Sequence, residues 1–121
     1  MEKEDLKERT QRFSVRIIKM VEHLPETRSS RVIANQILRS SSSVGANYSA
    51  ARRSKSGRDF INKLKIVEEE TDETLYWLEL IEKSGIINPD KLNDLINEAN
   101  ELLSIFVTSI KTAKSNLAKT K

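Results

Sequence analysis

Residues 92–117 read LNDLINEANELLSIFVTSIKTAKSNL, and their apolar side chains recur every three or four positions along the whole stretch. That spacing gathers them on one face of an α-helix. The preceding Asn88-Pro89-Asp90 offers an N-cap, a proline at the first helical position and an acid in the first turn. The stretch predicts an amphipathic helix over about 89–117. Its apolar face comprises Leu92, Leu95, Ile96, Ala99, Leu102, Leu103, Phe106, Val107, Ile110, Ala113 and Leu117.

The turns upstream of this helix delimit three more. Pro25 ends the first, because the residue before a proline is disfavoured in the α conformation. Ser29 or Ser30 is the expected N-cap of the second. The third opens on Ser56, and Gly85 ends it, since glycine accepts the left-handed conformation that follows many helices.

The resulting fold class is all-α. Four long helices joined by short turns predict an antiparallel up-down-up-down four-helix bundle. A chain of 121 residues has room for one domain, so we expect a single bundle over 1–121. Its helices are expected over about 5–24, 30–53, 57–84 and 89–117.

The composition excludes several kinds of chemistry. The chain has no cysteine and one histidine, which leaves no disulfides, no thiolate catalysis and no multi-histidine metal cage. No apolar run reaches the roughly 18 residues of a membrane span, and the charged start lacks the apolar region of a signal peptide. We therefore expect a cytoplasmic protein that neither spans nor binds a membrane.

Two patterns raise the question of an enzyme. The acidic run of residues 68–73 suggests a carboxylate-bridged metal site, but such bundle sites also use histidines, which this chain lacks. Arg16 and His23 have the spacing of an arginine–histidine pair in some helical ribonucleases, although His23 is better explained as a helix-end residue that interacts with the dipole. We expect no catalytic residue, no metal and no cofactor.

The charges separate along the chain. Residues 28–65 contain nine basic side chains and one acid, whereas residues 66–101 contain two basic side chains and eleven acids. Arginine binds phosphate oxygens through two parallel hydrogen bonds, so the basic segment is a candidate nucleic-acid surface. Ion pairs with the acidic third helix, within one chain or between subunits, are the alternative. The candidate phosphate-binding residues are Arg28, Arg31, Arg39, Arg52, Arg53, Lys55 and Arg58.

Other side chains bear on assembly and on the core. Asn47 lies on the apolar face of the second helix and is expected to be a structural polar residue of the core, with Glu68 or Glu70 as a candidate partner. A second apolar ridge on the third helix lies well away from its core face, which favours a homo-oligomer. The residues of this predicted interface are Ile66, Tyr76, Trp77 and Leu80.

Residues 36–60, QILRSSSSVGANYSAARRSKSGRDF, carry a family resemblance that continues through residues 61–87. The serine-rich helix with Asn47, the basic turn and the Asp59-Phe60 helix start resemble the bacterial four helix bundle protein family. Its members include proteins encoded in intervening sequences of 23S ribosomal RNA genes. The resemblance implies a ring-shaped homopentamer with no established enzymatic activity.

The sequence is also similar to the accessory proteins of diversity-generating retroelements, which are basic pentamers that bind nucleic acid and a partner reverse transcriptase. That similarity implies Asn47 as the polar core residue and a set of phosphate contacts at Arg39, Arg52, Arg53, Lys55 and Arg58. We therefore expect a non-enzymatic, oligomeric bundle that binds the RNA or DNA backbone. The alternative is an assembly or adaptor scaffold that binds no nucleic acid.

Overall fold

The computed structural model describes residues 5–119, which form four α-helices and one turn of 3₁₀ helix, without strands in that range. Residues 1–4, 120 and 121 of the expected domain lie outside the described residues. The prediction of an all-α four-helix bundle is confirmed. The helices are α1, Leu6–Val21; α2, Arg28–Arg52; α3, Gly57–Ser84; and α4, Asn93–Lys119, with the 3₁₀ turn at Pro89–Lys91.

The residues that cap the helices agree only in part with those that the sequence predicted. The Ser56 hydroxyl accepts a hydrogen bond from the Asp59 N–H at 3.1 Å, and Gly85 takes the left-handed conformation with φ 68°. The predicted N-cap of α2 was wrong. Thr27 has the extended backbone of a cap and accepts from the Ser30 N–H at 3.2 Å, whereas Ser30 itself is buried in the first turn.

Helix α1 ends at Val21, three residues earlier than the sequence predicted. The amides of His23 and Leu24 donate to the carbonyls of Met20 and Val21, three residues back. Such bonds tighten the last turn and leave the α-helical path. Helix α1 has therefore already ended before Pro25, which lies in the turn that follows it.

Neighbouring helices run antiparallel, and hydroxyl groups form hydrogen bonds between them at two seams. The Ser14 hydroxyl donates to the Ser41 carbonyl at 2.8 Å between α1 and α2. The Thr74 hydroxyl donates to the Ser40 hydroxyl at 2.8 Å between α3 and α2. Around these bonds the largest fully buried apolar side chains are Phe13, Phe106, Ile17, Ile37, Leu64, Leu78, Ile81, Leu92 and Leu102.

The seam between α1 and α4 has far fewer backbone contacts than the other neighbouring pairs. Arg9 bridges it with two hydrogen bonds of 2.8 Å to the Glu98 carboxylate and a third of 3.3 Å to Glu101. Its hydrogen bonds hold the pKa of Glu98 below the usual glutamate range, and the pKa of Arg9 is raised. This bidentate pair connects α1 to α4 at a seam where the two backbones seldom come close.

Helix α1 approaches α2 closely at Gly45, so a larger side chain there should separate the two helices. A Cβ on Gly45 would lie 3.3 Å from the Thr10 hydroxyl oxygen. We expect Gly45→Leu to lower the free energy of unfolding by about 1 to 3 kcal/mol, measured by urea denaturation. Ala46→Leu, at the exposed neighbouring position, is the control and should change it little. Equal effects of the two substitutions would contradict the close approach.

The Arg9–Glu98 pair predicts a pH-dependent contribution to stability. Because the pKa of Glu98 is depressed in the folded chain, the pair contributes above the ordinary glutamate pKa of about 4.3 and is lost as pH falls through the lower, folded value. We expect Arg9→Gln to lower the urea midpoint at neutral pH and to match wild type at a pH acidic enough to protonate Glu98 in the folded chain. Lys19→Gln on the exposed face of α1 is the matched control. A deficit of the Arg9 variant that is the same at both pH values would rule the ion pair out as its cause.

Candidate nucleic-acid interface

The outer face of α2 carries the arginines that the sequence placed there. Arg28, Arg31, Arg39 and Arg53 are all exposed. They do not form one patch, because Arg28 and Arg53 lie at opposite ends of the helix, about 37 Å apart along its axis. The predicted basic face is therefore divided among different electrostatic surroundings.

Arg39, in the middle of α2, is committed to the acidic helix beside it. Its guanidinium donates to Glu70 at 3.0 Å and also to Glu73, and the hydrogen bond to Glu73 raises the pKa of Arg39. The Trp77 indole N–H donates to the same Glu73 carboxylate at 3.1 Å. Pairing between adjacent helices, one of the alternatives that the sequence left open, thus occurs at this position.

Arg52 points toward α1 rather than outward. Its guanidinium lies 3.6 Å from the carboxylate of Asp5, the N-cap residue of α1. Both side chains are about half exposed, so solvent screens the pair.

The turn between α2 and α3 retains free positive charge. Arg53, Lys55 and Arg58 are exposed, and within residues 5–119 none of them has an ion-pair partner. The neighbouring acid, Asp59 in the first turn of α3, is paired with Lys63 at 2.6 Å, and that hydrogen bond lowers the pKa of Asp59.

Helix α4 adds lysines at the same end of the bundle. The Leu117 side chain lies over Gly57, 3.3 Å from where a Cβ would be, so the last turns of α4 flank the start of α3. Its lysines were not among the predicted site residues, although residues 102–121 contain four lysines and no acid. The set that we call the basic end comprises Arg53, Lys55, Arg58, Lys111, Lys114 and Lys119.

Asn47 is half-buried and bonds within its own helix. Its amide donates to the Ser43 carbonyl at 2.9 Å and to the Ser43 hydroxyl at 2.8 Å. The expectation that Glu68 or Glu70 is its partner was wrong, since Glu70 accepts from Arg39 instead. The Asn47 amide is satisfied by Ser43, four residues earlier in the same helix, so it needs no partner on another helix.

The predicted oligomer residues lie on the outer side of α3. Ile66 is 43% exposed and Tyr76 57% exposed, while Trp77 and Leu80 are half-buried. The rings of Tyr76 and Trp77 pack edge to face, with centroids 5.1 Å apart.

The residues considered for catalysis occupy a shallow groove at the other end. Arg16 and His23 both line it, together with Asp90 and Asp94, and its volume is about 280 Å³. In the described part of the chain, no three acidic or histidine side chains lie close enough to hold a metal ion.

The fold and charge pattern define a small four-helix bundle with a basic end, and comparisons place it in a family. The model of the 23S rRNA-intervening sequence protein family matches residues 2–108. The chain therefore belongs to the 23S rRNA-intervening sequence protein family.

A solved structure supports this assignment. A protein of unknown function from the S23 ribosomal protein family of Bacteroides thetaiotaomicron VPI-5482 has a TM-score of 0.81 and 36% sequence identity to this chain. The match covers 88% of this chain and 99% of that one. A comparison with curated proteins gave no match. Within residues 5–119, no helix combines the length and apolarity that crossing a bilayer requires.

Arg39 and Trp77 both donate to the carboxylate of Glu73, so the fluorescence of Trp77 should report on the ion pairs of Arg39. Arg39→Gln removes the charge that holds Glu73 in place, so we expect Glu73 to move into water and leave the indole more accessible. Acrylamide quenching of the single tryptophan should rise. Arg31→Gln, which removes an exposed arginine of the same helix, is the control and should leave quenching unchanged. A rise in both variants would show that net charge, rather than the ion pairs of Arg39, governs how accessible Trp77 is to acrylamide.

Proposed function

We propose that this protein is a non-enzymatic, oligomeric bundle that binds the backbone of RNA or DNA through its basic end. The observation that carries the proposal is the group of six exposed cations at one end of the bundle, none with an ion-pair partner among the described residues. Cations without intrachain partners are free to neutralise phosphates and release their counterions.

The distribution of acids supports this orientation. The acidic run of α3 lies beyond the first third of that helix, and two of its carboxylates, those of Glu70 and Glu73, pair with Arg39. A polyanion that approaches the bundle is attracted to the basic end and repelled by the acidic part of α3. The site then contacts phosphates and reads little of the base sequence.

RNA is the ligand that we propose first. The family name refers to 23S rRNA, and the solved relative belongs to a family named for a ribosomal protein. Arginines and lysines that contact phosphates do not distinguish RNA from DNA, so both are included in the test.

A second candidate is an assembly scaffold, favoured by the exposed apolar side chains outside the basic end. Val32 on α2 is 57% exposed, as is Tyr76 on α3, and Ile66 lies on the same helix as Tyr76. Exposed apolar groups of this size favour contact with another copy of the chain or with a protein partner. The pentamer implied by the family resemblance, and a reverse transcriptase as protein partner, are compatible with either candidate.

Removal of the free charges tests the proposal. Arg53→Gln, Lys55→Gln and Arg58→Gln together should weaken binding of a labelled hairpin RNA and a DNA duplex at least tenfold in fluorescence anisotropy, because three phosphate contacts are lost. Titrations at about 50 and 200 mM salt should show a slope that is shallower by about 2 to 3 in the triple variant.

The matched control removes three exposed charges from the opposite end, as Lys19→Gln, Arg28→Gln and Arg31→Gln. It should retain affinity within a few-fold. Equal loss in both triple variants would point to net charge rather than the basic end. Two results together would replace the proposal with the scaffold candidate. Wild type would bind no nucleic acid at the lower salt, and the variant with Arg53, Lys55 and Arg58 replaced would lose the oligomer seen by light scattering.

A further inference from the structure

An open groove of about 630 Å³ lies beside the basic end, between the first turn of α3 and the last turns of α4. Its apolar surface comes from Phe60, Ala113 and Leu117. Polar side chains of α4 border this surface, namely Thr108, Ser109, Thr112 and Asn116. The volume falls within the range of small-molecule binding pockets.

The described part of α1 accompanies only part of α4. Arg9, in the first turn of α1, pairs with Glu98 and Glu101, in the first half of α4. The described part of α1 therefore flanks that half, and the groove opens along the second half. Phe60, which the sequence assigned to the core of α3, is half-buried and contributes to its surface.

The polar side chains of the groove are available for a ligand. Thr10 and Thr71 each donate their hydroxyl to a carbonyl of the preceding turn. Thr108 and Thr112 form no such bond within residues 5–119. The amide of Asn116 is likewise without a partner in this part of the chain. The groove thus combines an apolar surface with unused donors and acceptors along one side.

Positive charge lies at the rim. Arg58 follows Gly57, which lines the groove, and Lys119 lies one turn beyond Asn116 on the same side of α4. We infer that the groove receives an unpaired nucleobase, whose adjoining phosphates contact Arg58 and Lys119. This inference rests on the proposed function and adds to it a preference for single-stranded or looped nucleic acid.

The chemistry of the groove matches that of a base. A base has an apolar face that stacks on an aromatic ring such as Phe60 and an edge that bonds to hydroxyls and amides such as those of Thr112 and Asn116. The cations at the rim complement the phosphates on either side of it. In a duplex both the face and the edge are occupied, so only an unpaired nucleotide satisfies both parts of the groove.

An amphipathic helix fits less well. From Thr108 to Asn116 the groove runs for about 12 Å, whereas an average helix of 11 to 12 residues is about 17 Å long. An acidic peptide would use the charged rim but would leave the donors and acceptors of Thr108 and Thr112 without a matched edge. The groove length and polarity favour the base.

The test compares two single-stranded oligonucleotides of equal length and charge, oligouridine and the same backbone with abasic sites, in fluorescence anisotropy. Wild type should bind oligouridine about tenfold more tightly than the abasic strand, the size expected for base stacking on an aromatic side chain. Thr112→Leu places apolar bulk without a stacking ring in the groove, at an exposed position, and should reduce this preference while affinity for the abasic strand is retained. Asn97→Leu makes a similar change at an exposed position elsewhere on α4 and should behave as wild type.

A second variant guards against a folding defect. Thr108→Ala with Asn116→Ala removes hydrogen-bonding groups without added bulk, at exposed positions, and should also reduce the preference for oligouridine. Equal affinity of wild type for both strands would overturn the base site and leave the proposed function standing. Binding of neither strand nor of hairpin RNA would overturn the proposed function itself. A poly-glutamate peptide of equal charge that binds as tightly, and whose binding is weakened by Thr112→Leu, would overturn the inference in favour of an acidic peptide.

Discussion

Two hydrogen bonds from hydroxyl groups connect α2 to its neighbours, and the arrangement of the bundle depends on them. A buried polar group without a partner costs about 1 to 3 kcal/mol. Ser40 accepts from Thr74 of α3, and the backbone at Ser41 accepts from Ser14 of α1. These bonds form in one register only, so they fix both neighbours of α2. Gly45 permits the close approach of α1 that the short bond from Ser14 requires.

This packing also determines which charges remain free. Because the Thr74–Ser40 bond holds α3 against α2, Arg39 lies opposite Glu70 and Glu73 and forms ion pairs with them. In the same register, the C-terminal end of α2 lies beyond the acidic run of α3. Near Arg53 and the following turn the acid is Asp59, and Lys63 neutralises it. The separation between a paired middle and a basic end therefore follows from helix register as well as from composition.

Local signals made much of the fold predictable from sequence. Gly85 and the Ser56 cap act through a few neighbouring residues, so the limits of α3 follow from the chain alone. Thr27 was missed because three adjacent candidates, at positions 27, 29 and 30, satisfy the same cap rule, and only packing decides that Ser30 is buried. The partner of Arg39 and the bond from Asn47 to Ser43 depend on side-chain geometry, which apolar periodicity does not encode. The exposed arginine face was predictable for the opposite reason, since a 100° rotation per residue fixes direction without any knowledge of neighbours.

The groove illustrates a further limit of sequence reasoning and a division of roles within the proposed site. Phe60 and Leu117 have the spacing of core residues, and only the structure shows that they line an open groove. Charges at the rim act over a distance of about 10 Å and accelerate encounter with any polyanion. A short-range apolar surface contributes only after contact, so it affects how long a bound strand remains. A site built from both elements would attract every nucleic acid and retain those with an unpaired base.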